Sequence, residues 1–224
     1  MMNNLFSIFD PSTSLNYSMN WMISILLILM IPLMYWFIPS RWNYIYIKLL
    51  NLLINEFKIL LIKKENYYNI IILVSMFIYI FLNNFMGLFP YIYTSSSHLV
   101  FSLSLSLVLW LSYMLYGWIN HTNHMFTHLV PQGTPGVLMP FMVLVESLSN
   151  YIRFGTLSVR LSANMIAGHL LMVLISSTGE KLNFYVLWLM LLSQSILIIL
   201  ELSVSVIQAY VFSVLSTLYS AEVN

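Results

Sequence analysis

The chain contains no cysteine. A disulfide framework, a thiolate nucleophile and Cys-ligated zinc or iron–sulfur centres are therefore excluded. Charge is nearly as scarce. Only 7% of the 224 residues are Asp, Glu, Lys or Arg, against about 25% in an ordinary soluble domain. The eight basic and seven acidic residues almost cancel, which excludes a nucleic-acid binder working through a basic field. Disorder needs low hydrophobicity and high net charge, whereas 60% of this chain is apolar. No P-loop is present, so no nucleotide chemistry is expected. No basic segment precedes the first apolar run and no Arg-rich transit peptide is seen. The chain is expected to insert from its own first helix, or to be made in the compartment where it works. What remains is an all-α integral membrane protein forming a single membrane domain.

The apolar runs divide that domain. Residues 1–40 hold an N-terminal segment and a first span, Trp21 to Ile38, with Pro32 near its end. Residues 41–65 carry five of the eight basic residues, Arg41, Lys48, Lys58, Lys63 and Lys64. Lys48, Asn51, Asn55 and Lys58 recur at helical spacing with Leu and Ile opposite, the pattern of an amphipathic helix lying on one leaflet. The positive-inside rule sets that helix on the cytoplasm-like side and the N-terminus on the other. Residues 66–119 provide two further spans, Ile70 to Phe89 and His98 to Trp118. From Asn66 to Val145 there is no Asp, Glu, Lys or Arg at all. Residues 120–136 read as a polar loop closed by the turn residues Pro131, Gly133, Pro135 and Gly136. Residues 137–224 contain two apolar runs, Leu138 to Ile175 and Phe184 to Ser220. Each makes a helix of about 55 Å, against a hydrocarbon core of about 30 Å. Two long, strongly tilted helices forming a hairpin fit that mismatch. Three spans, one interfacial helix and this hairpin make up the expected architecture.

The few intramembrane charges are patterned. Glu146, Arg153 and Arg160 are spaced by seven, so on an α-helix successive members fall within about 20° of one another. Asn150 and Asn164 join the same stripe. Gln194, Glu201 and Gln208, also seven apart, line the next run with Ser205 beside them. Ionisable groups in hydrocarbon are costly and mark ion pathways by default; an ion pair of Glu146 with Arg153 that merely joins helices is the structural alternative. Arg160 cannot lose its proton. It is a fixed positive charge that holds a nearby carboxylate ionised and interrupts a proton wire. Glu201, Glu146 and His169 can exchange protons. His169, nine residues after Arg160, lies about 180° around the helix; either a separate access path or a neutral packed imidazole fits that position. His121, His124 and His128 form an H-x2-H-x3-H run. It could hold a metal ion, but no carboxylate lies near it in sequence. Haem ligation is disfavoured because three of the five histidines sit in this run.

The block Leu157-Ser158-Val159-Arg160-Leu161-Ser162-Ala163-Asn164-Met165-Ile166-Ala167-Gly168-His169 resembles the signature of subunit a of the F-type ATP synthase in its mitochondrial, insect-like form. Asn83-Asn84-Phe85-Met86-Gly87-Leu88-Phe89-Pro90, Pro131-Gln132-Gly133-Thr134-Pro135 and the tail from Tyr210 to Asn224 agree with it, so the resemblance spans the chain. One departure is Phe154, where Pro is expected after Arg153; the local helix break that Pro would bring is not implied here. The resemblance implies a proton-conducting stator subunit with no active site and no cofactor. Its two tilted helices would face a ring of c subunits, each with one membrane carboxylate, across two offset half-channels. Arg160 would separate the half-channels. His169 and Glu201 would line the inlet, Glu146, Asn150 and Asn164 the exit, and Gln208 would face the arginine. Implied partners are the c-ring, other stator and membrane-sector subunits, the bilayer and protons, with no nucleic acid. The implied place is the mitochondrial inner membrane, with the N-terminus in the intermembrane space and the C-terminus and the basic helix on the matrix side.

Two other classes compete. A membrane subunit of a redox-driven pump calls for haem ligands or lysine relays, and no Lys lies in any expected span. A purely structural anchor leaves the ionisable groups in hydrocarbon unexplained, at about 2.5–3.5 kcal/mol for each charged side chain at the midplane.

Overall fold

A computed structural model describes residues 5–13, 17–61, 67–130, 135–179 and 183–223, with Leu5, Tyr67, Val137 and Phe184 in backbone only. Every regular element among the described residues is helical. Four helices are long and apolar enough to cross a membrane: α3 (Tyr67–Gly87), α4 (Leu99–Asn120), α6 (Met139–Gly179) and α7 (Phe184–Val223).

The first expected span differs. Its helical part runs only from Met19 to Met30, as a short α1 (Met22–Leu26) between two 3-10 turns. Pro32 is the cause. Proline disfavours helical backbone at the residue before it, and Ile31 is extended at φ −70° and ψ 123°. Residues 31–40 then run without helix to α2 (Arg41–Leu60), where Ser40 caps the first turn by accepting from the Asn43 backbone N–H at 3.4 Å. Lys48, Asn51, Asn55 and Lys58 are all exposed on α2, as the periodicity requires. Phe57 is fully buried with Leu61, Ile70, Leu73 and Val74, which docks the helix on α3. Lys63 and Lys64 lie outside the described residues.

The expected polar loop at 120–136 is half helix. α5 (Thr122–Leu129) follows α4 after a single break at His121, whose φ of −128° is not helical. No Gly or Pro occurs from Asn120 to Val130, so nothing in that stretch stops a helix. Pro131 and Gly133, two of the four turn residues read there, lie outside the described residues.

The two long runs each form one unbroken helix, of 41 residues in α6 and 40 in α7. Pro140 sits in the first turn of α6, where a missing N–H costs nothing. Phe154 continues the helix and packs its ring 4.9 Å from that of Trp110 on α4. Ideal Cβ atoms place Gly168 against Glu201 and Gly179 against Met190, while Arg160 and Gln208 line one cleft. The two helices therefore run antiparallel.

The interior is unusual for its polarity. Ser102, Ser106, Ser158, Ser162, Ser205, Ser213, Ser216, Thr217 and Ser220 are buried between helices. Small residues let backbones approach where lipid gives no hydrophobic drive to associate. Their hydroxyls are satisfied locally: Ser158 donates to the Gly155 carbonyl at 2.8 Å and Ser216 to the Ser213 carbonyl at 2.7 Å. Large apolar side chains face outward instead, among them Ile196, Ile199, Leu200 and Ile207 on α7.

Candidate functional site

Three polar groupings lie along the α6–α7 pair. The first surrounds Glu201, which is 8% exposed. Both carboxylate oxygens are buried with no hydrogen-bond partner among the described residues. Gly168 on α6 faces it closely. A Cβ on Gly168 would stand 2.8 Å from Glu201 Oε1. The neighbouring His169 lies by the backbone of Gly87, at the end of α3, and its Nε2 is buried with no hydrogen-bond partner among the described residues. Phe9 of the N-terminal segment sets its ring edge-on to this imidazole at 6.4 Å. His98 Nε2 bonds the Phe9 carbonyl at 2.9 Å and also meets the Tyr93 hydroxyl. Burial, with the charge of Asp10 adding, pushes the Tyr93 hydroxyl up to about 12, so it stays a neutral partner.

Asn84 and Ser96 belong near this grouping and were not singled out by the sequence reading. Asn84 lies four residues after Ile80, which packs on Leu161 and Ala209, and three before Gly87. It therefore shares their stripe on α3, facing α6 and α7. Among the described residues its amide nitrogen and oxygen are both buried and unpartnered, as is the Ser96 hydroxyl. An orphaned buried polar atom costs about 1–3 kcal/mol, so a cluster of them points to function rather than packing. The available signal was two adjacent Asn in the last turn of an otherwise apolar span.

The second grouping is Arg160 with Gln208. They share a shallow cleft with Leu157, Leu161, Val211 and Phe212. Arg160 is exposed on the outer face of α6, as is Asn164 one turn on. Among the described residues it makes no ion pair. His169 points inward and Arg160 outward, the half-turn that their spacing of nine requires.

The third grouping lines a cavity of about 520 Å3 bounded by α4, α5, α6 and the end of α7. Glu146, Asn150 and Arg153 project into it from α6, Glu222 from α7 and His128 from α5. Arg153 donates to Glu222 at 2.7 Å, sits 3.8 Å from Glu146 and lies 5.6 Å over the Tyr219 ring. The Glu146–Arg153 pair read from the spacing is thus present, but the closer partner is Glu222, a residue the stripe argument omitted. Its place at the far end of the chain made it invisible to local periodicity. Along α6, the Glu201 level lies about 12 Å to one side of Arg160, and Arg153 about 10 Å to the other.

The sequence matches the family model described as ATP synthase A chain over residues 3–221. It is 57% identical to the ATP synthase subunit a of Drosophila melanogaster and 58% identical to that of Locusta migratoria, each over the whole of both chains. The protein of the same name from Aedes aegypti is 58% identical, again with both chains fully covered. With an all-helical fold, four membrane-length helices and a full-length match, the chain belongs to the ATP synthase A chain family.

Proposed function

We propose that this chain is the proton-conducting stator subunit of an ATP synthase membrane sector, multi-pass in the mitochondrial inner membrane. It has no catalytic site and leaves ATP chemistry to other subunits. In this reading the chain crosses the membrane between Met19 and Ser40 and again in α3 and α4, α2 lies on the matrix surface and the antiparallel α6 and α7 lie tilted as a hairpin facing the c-ring. The N-terminus lies in the intermembrane space and the C-terminus in the matrix.

The observation that carries the proposal is the isolation of Arg160. It is an exposed cation with no acidic partner among the described residues, and along α6 it lies between the level of Glu201 and that of Arg153. A fixed cation in low dielectric attracts a carboxylate and holds it ionised. Its partner is then a carboxylate from outside the chain, arriving by rotation of the c-ring. Protons enter past Asn84, Ser96, His169 and Glu201 and load that carboxylate. On reaching Arg160 it must give up its proton, because the guanidinium cannot. The proton leaves past Asn164, Asn150, Glu146 and Glu222. Gln208 orients the guanidinium across the cleft. The offset of the two routes, with the charge between them, forces each proton to travel by way of the ring.

Replacing Arg160 by Ala tests this reading in the assembled complex. Coupled ATP synthesis is expected to disappear, while passive proton leak through the membrane sector persists or rises. Normal coupled synthesis would overturn the proposal.

A further inference from the structure

His124 and His128 are not used by the proton route, yet their imidazole rings are in direct contact. They sit four apart on α5, so they share one face. Their ring centroids are 4.4 Å apart, and their Nε2 atoms stand 3.2 Å from each other. Both side chains are accessible, with His124 exposed and His128 at the edge of the large cavity. A zinc ion takes imidazole nitrogen at about 2.0–2.1 Å in tetrahedral geometry. Two such ligands at the tetrahedral angle lie about 3.3 Å apart. The pair already has that separation.

The geometry points to a two-histidine site for a zinc-class divalent cation on α5, at the rim of the cavity that holds Glu146, Arg153 and Glu222. This inference goes beyond the proton-path reading and does not depend on it. Imidazole selects zinc, copper or nickel over calcium and magnesium, which take oxygen ligands. Without metal, one Nε2–H donates to the other lone pair. Binding moves that proton to Nδ1 of the same ring, so both Nε2 lone pairs face the ion and no proton is lost. Among the described residues no set of three potential ligands converges, so water completes the coordination. His121 is not the third ligand. It lies at the break before α5, with its ring edge-on to Tyr116.

The test uses Zn2+ as the probe and the intact purified complex. Bound zinc is measured by equilibrium dialysis in wild type and in His124→Gln, His128→Gln, the double variant and His121→Gln. Native gels confirm assembly, which exposed substitutions on a surface helix should leave intact. The double variant is expected to lose one equivalent. Each single variant of the pair is expected to bind that equivalent at least about tenfold more weakly, because one ligand bond is gone. His121→Gln is expected to bind as wild type does. Zinc-edge absorption, taken as the difference between wild type and double variant, should report two imidazole nitrogens. An unchanged zinc count in the assembled double variant would overturn the site. A loss with His121→Gln equal to that of the pair would overturn the two-ligand assignment.

Discussion

Replacing Gly168 by Ala probes the Glu201 site with a single methyl group. The new carbon would stand 2.8 Å from Oε1, 2.9 Å from Cδ and 3.1 Å from Cγ of Glu201. Comfortable contact begins near about 3.5 Å, so the carboxylate must retreat by roughly 0.6 Å. Overpacking of this kind costs about 1–3 kcal/mol. Removing a mid-helix glycine returns roughly 0.5–1 kcal/mol. The net cost is then about 0–2.5 kcal/mol, which should leave the complex assembled. Function is more sensitive. Hydrogen bonds form only over donor–acceptor separations of about 2.7 to 3.2 Å, so a shift of that size exceeds the tolerance for any group that passes a proton to this carboxylate. We expect ATP-driven proton pumping in inverted vesicles to fall about tenfold at unchanged complex content. Glu201→Asp draws the carboxylate back along its own side chain. In that background the added methyl should reduce assembly and pumping less than it does alone, a coupling that a double-mutant cycle measures. Wild-type pumping by the assembled Gly168→Ala complex would refute the argument, since the position of Glu201 would then not matter to conduction.

Glu201→Gln keeps the shape but cannot carry a proton, so pumping should drop at least about tenfold while native gels show normal assembly. Glu222→Gln keeps an acceptor for Arg153 but removes the charge and the proton-carrying group of the 2.7 Å pair; the pair is partly exposed, so thermal stability of the complex should change by less than about 1 kcal/mol, whereas proton release, read as pumping rate, should slow. Gly117→Ala sets a Cβ 2.7 Å from Val223 Cγ1 and 3.0 Å from Met125 Sδ; it should lower the amount of assembled complex by an effect of about 1–3 kcal/mol, with Val223→Ala restoring it. Ser40→Ala removes the cap of α2 and should cost about 0.5–2 kcal/mol, read by thermal denaturation.

The long elements were legible because their signals are one-dimensional. Uninterrupted apolar runs mark α3, α4, α6 and α7, and a spacing of seven sets Glu146, Arg153 and Arg160 on one face of α6. The first span was over-extended because apolar composition continues past Pro32 while helix does not. Polarity misled at Thr122–Leu129, where a hydrophilic stretch without Gly or Pro is helical. Glu222 and Asn84 escaped because each acquires its meaning from another helix: Glu222 from Arg153, 69 positions away, and Asn84 from a buried stripe shared with Ile80. The slot that Gly168 leaves for Glu201 likewise depends on how α6 and α7 pack side by side.

The serine-lined interior has a thermodynamic consequence. In a soluble domain, unfolding exposes apolar surface to water and gives a large positive heat capacity change, with a stability curve that bends down at both ends. Here the faces between helices combine small hydroxyls bonded to their own backbones with apolar residues such as Ile80, Leu161 and Phe212, and many large apolar side chains face outward. Drawing these helices apart within lipid hydrates almost nothing. Loss of tertiary structure in the bilayer should therefore show a heat capacity change far below the roughly 12–15 cal/mol/K per residue of soluble proteins. Its stability should vary almost linearly with temperature, and cooling should give no cold-denatured state.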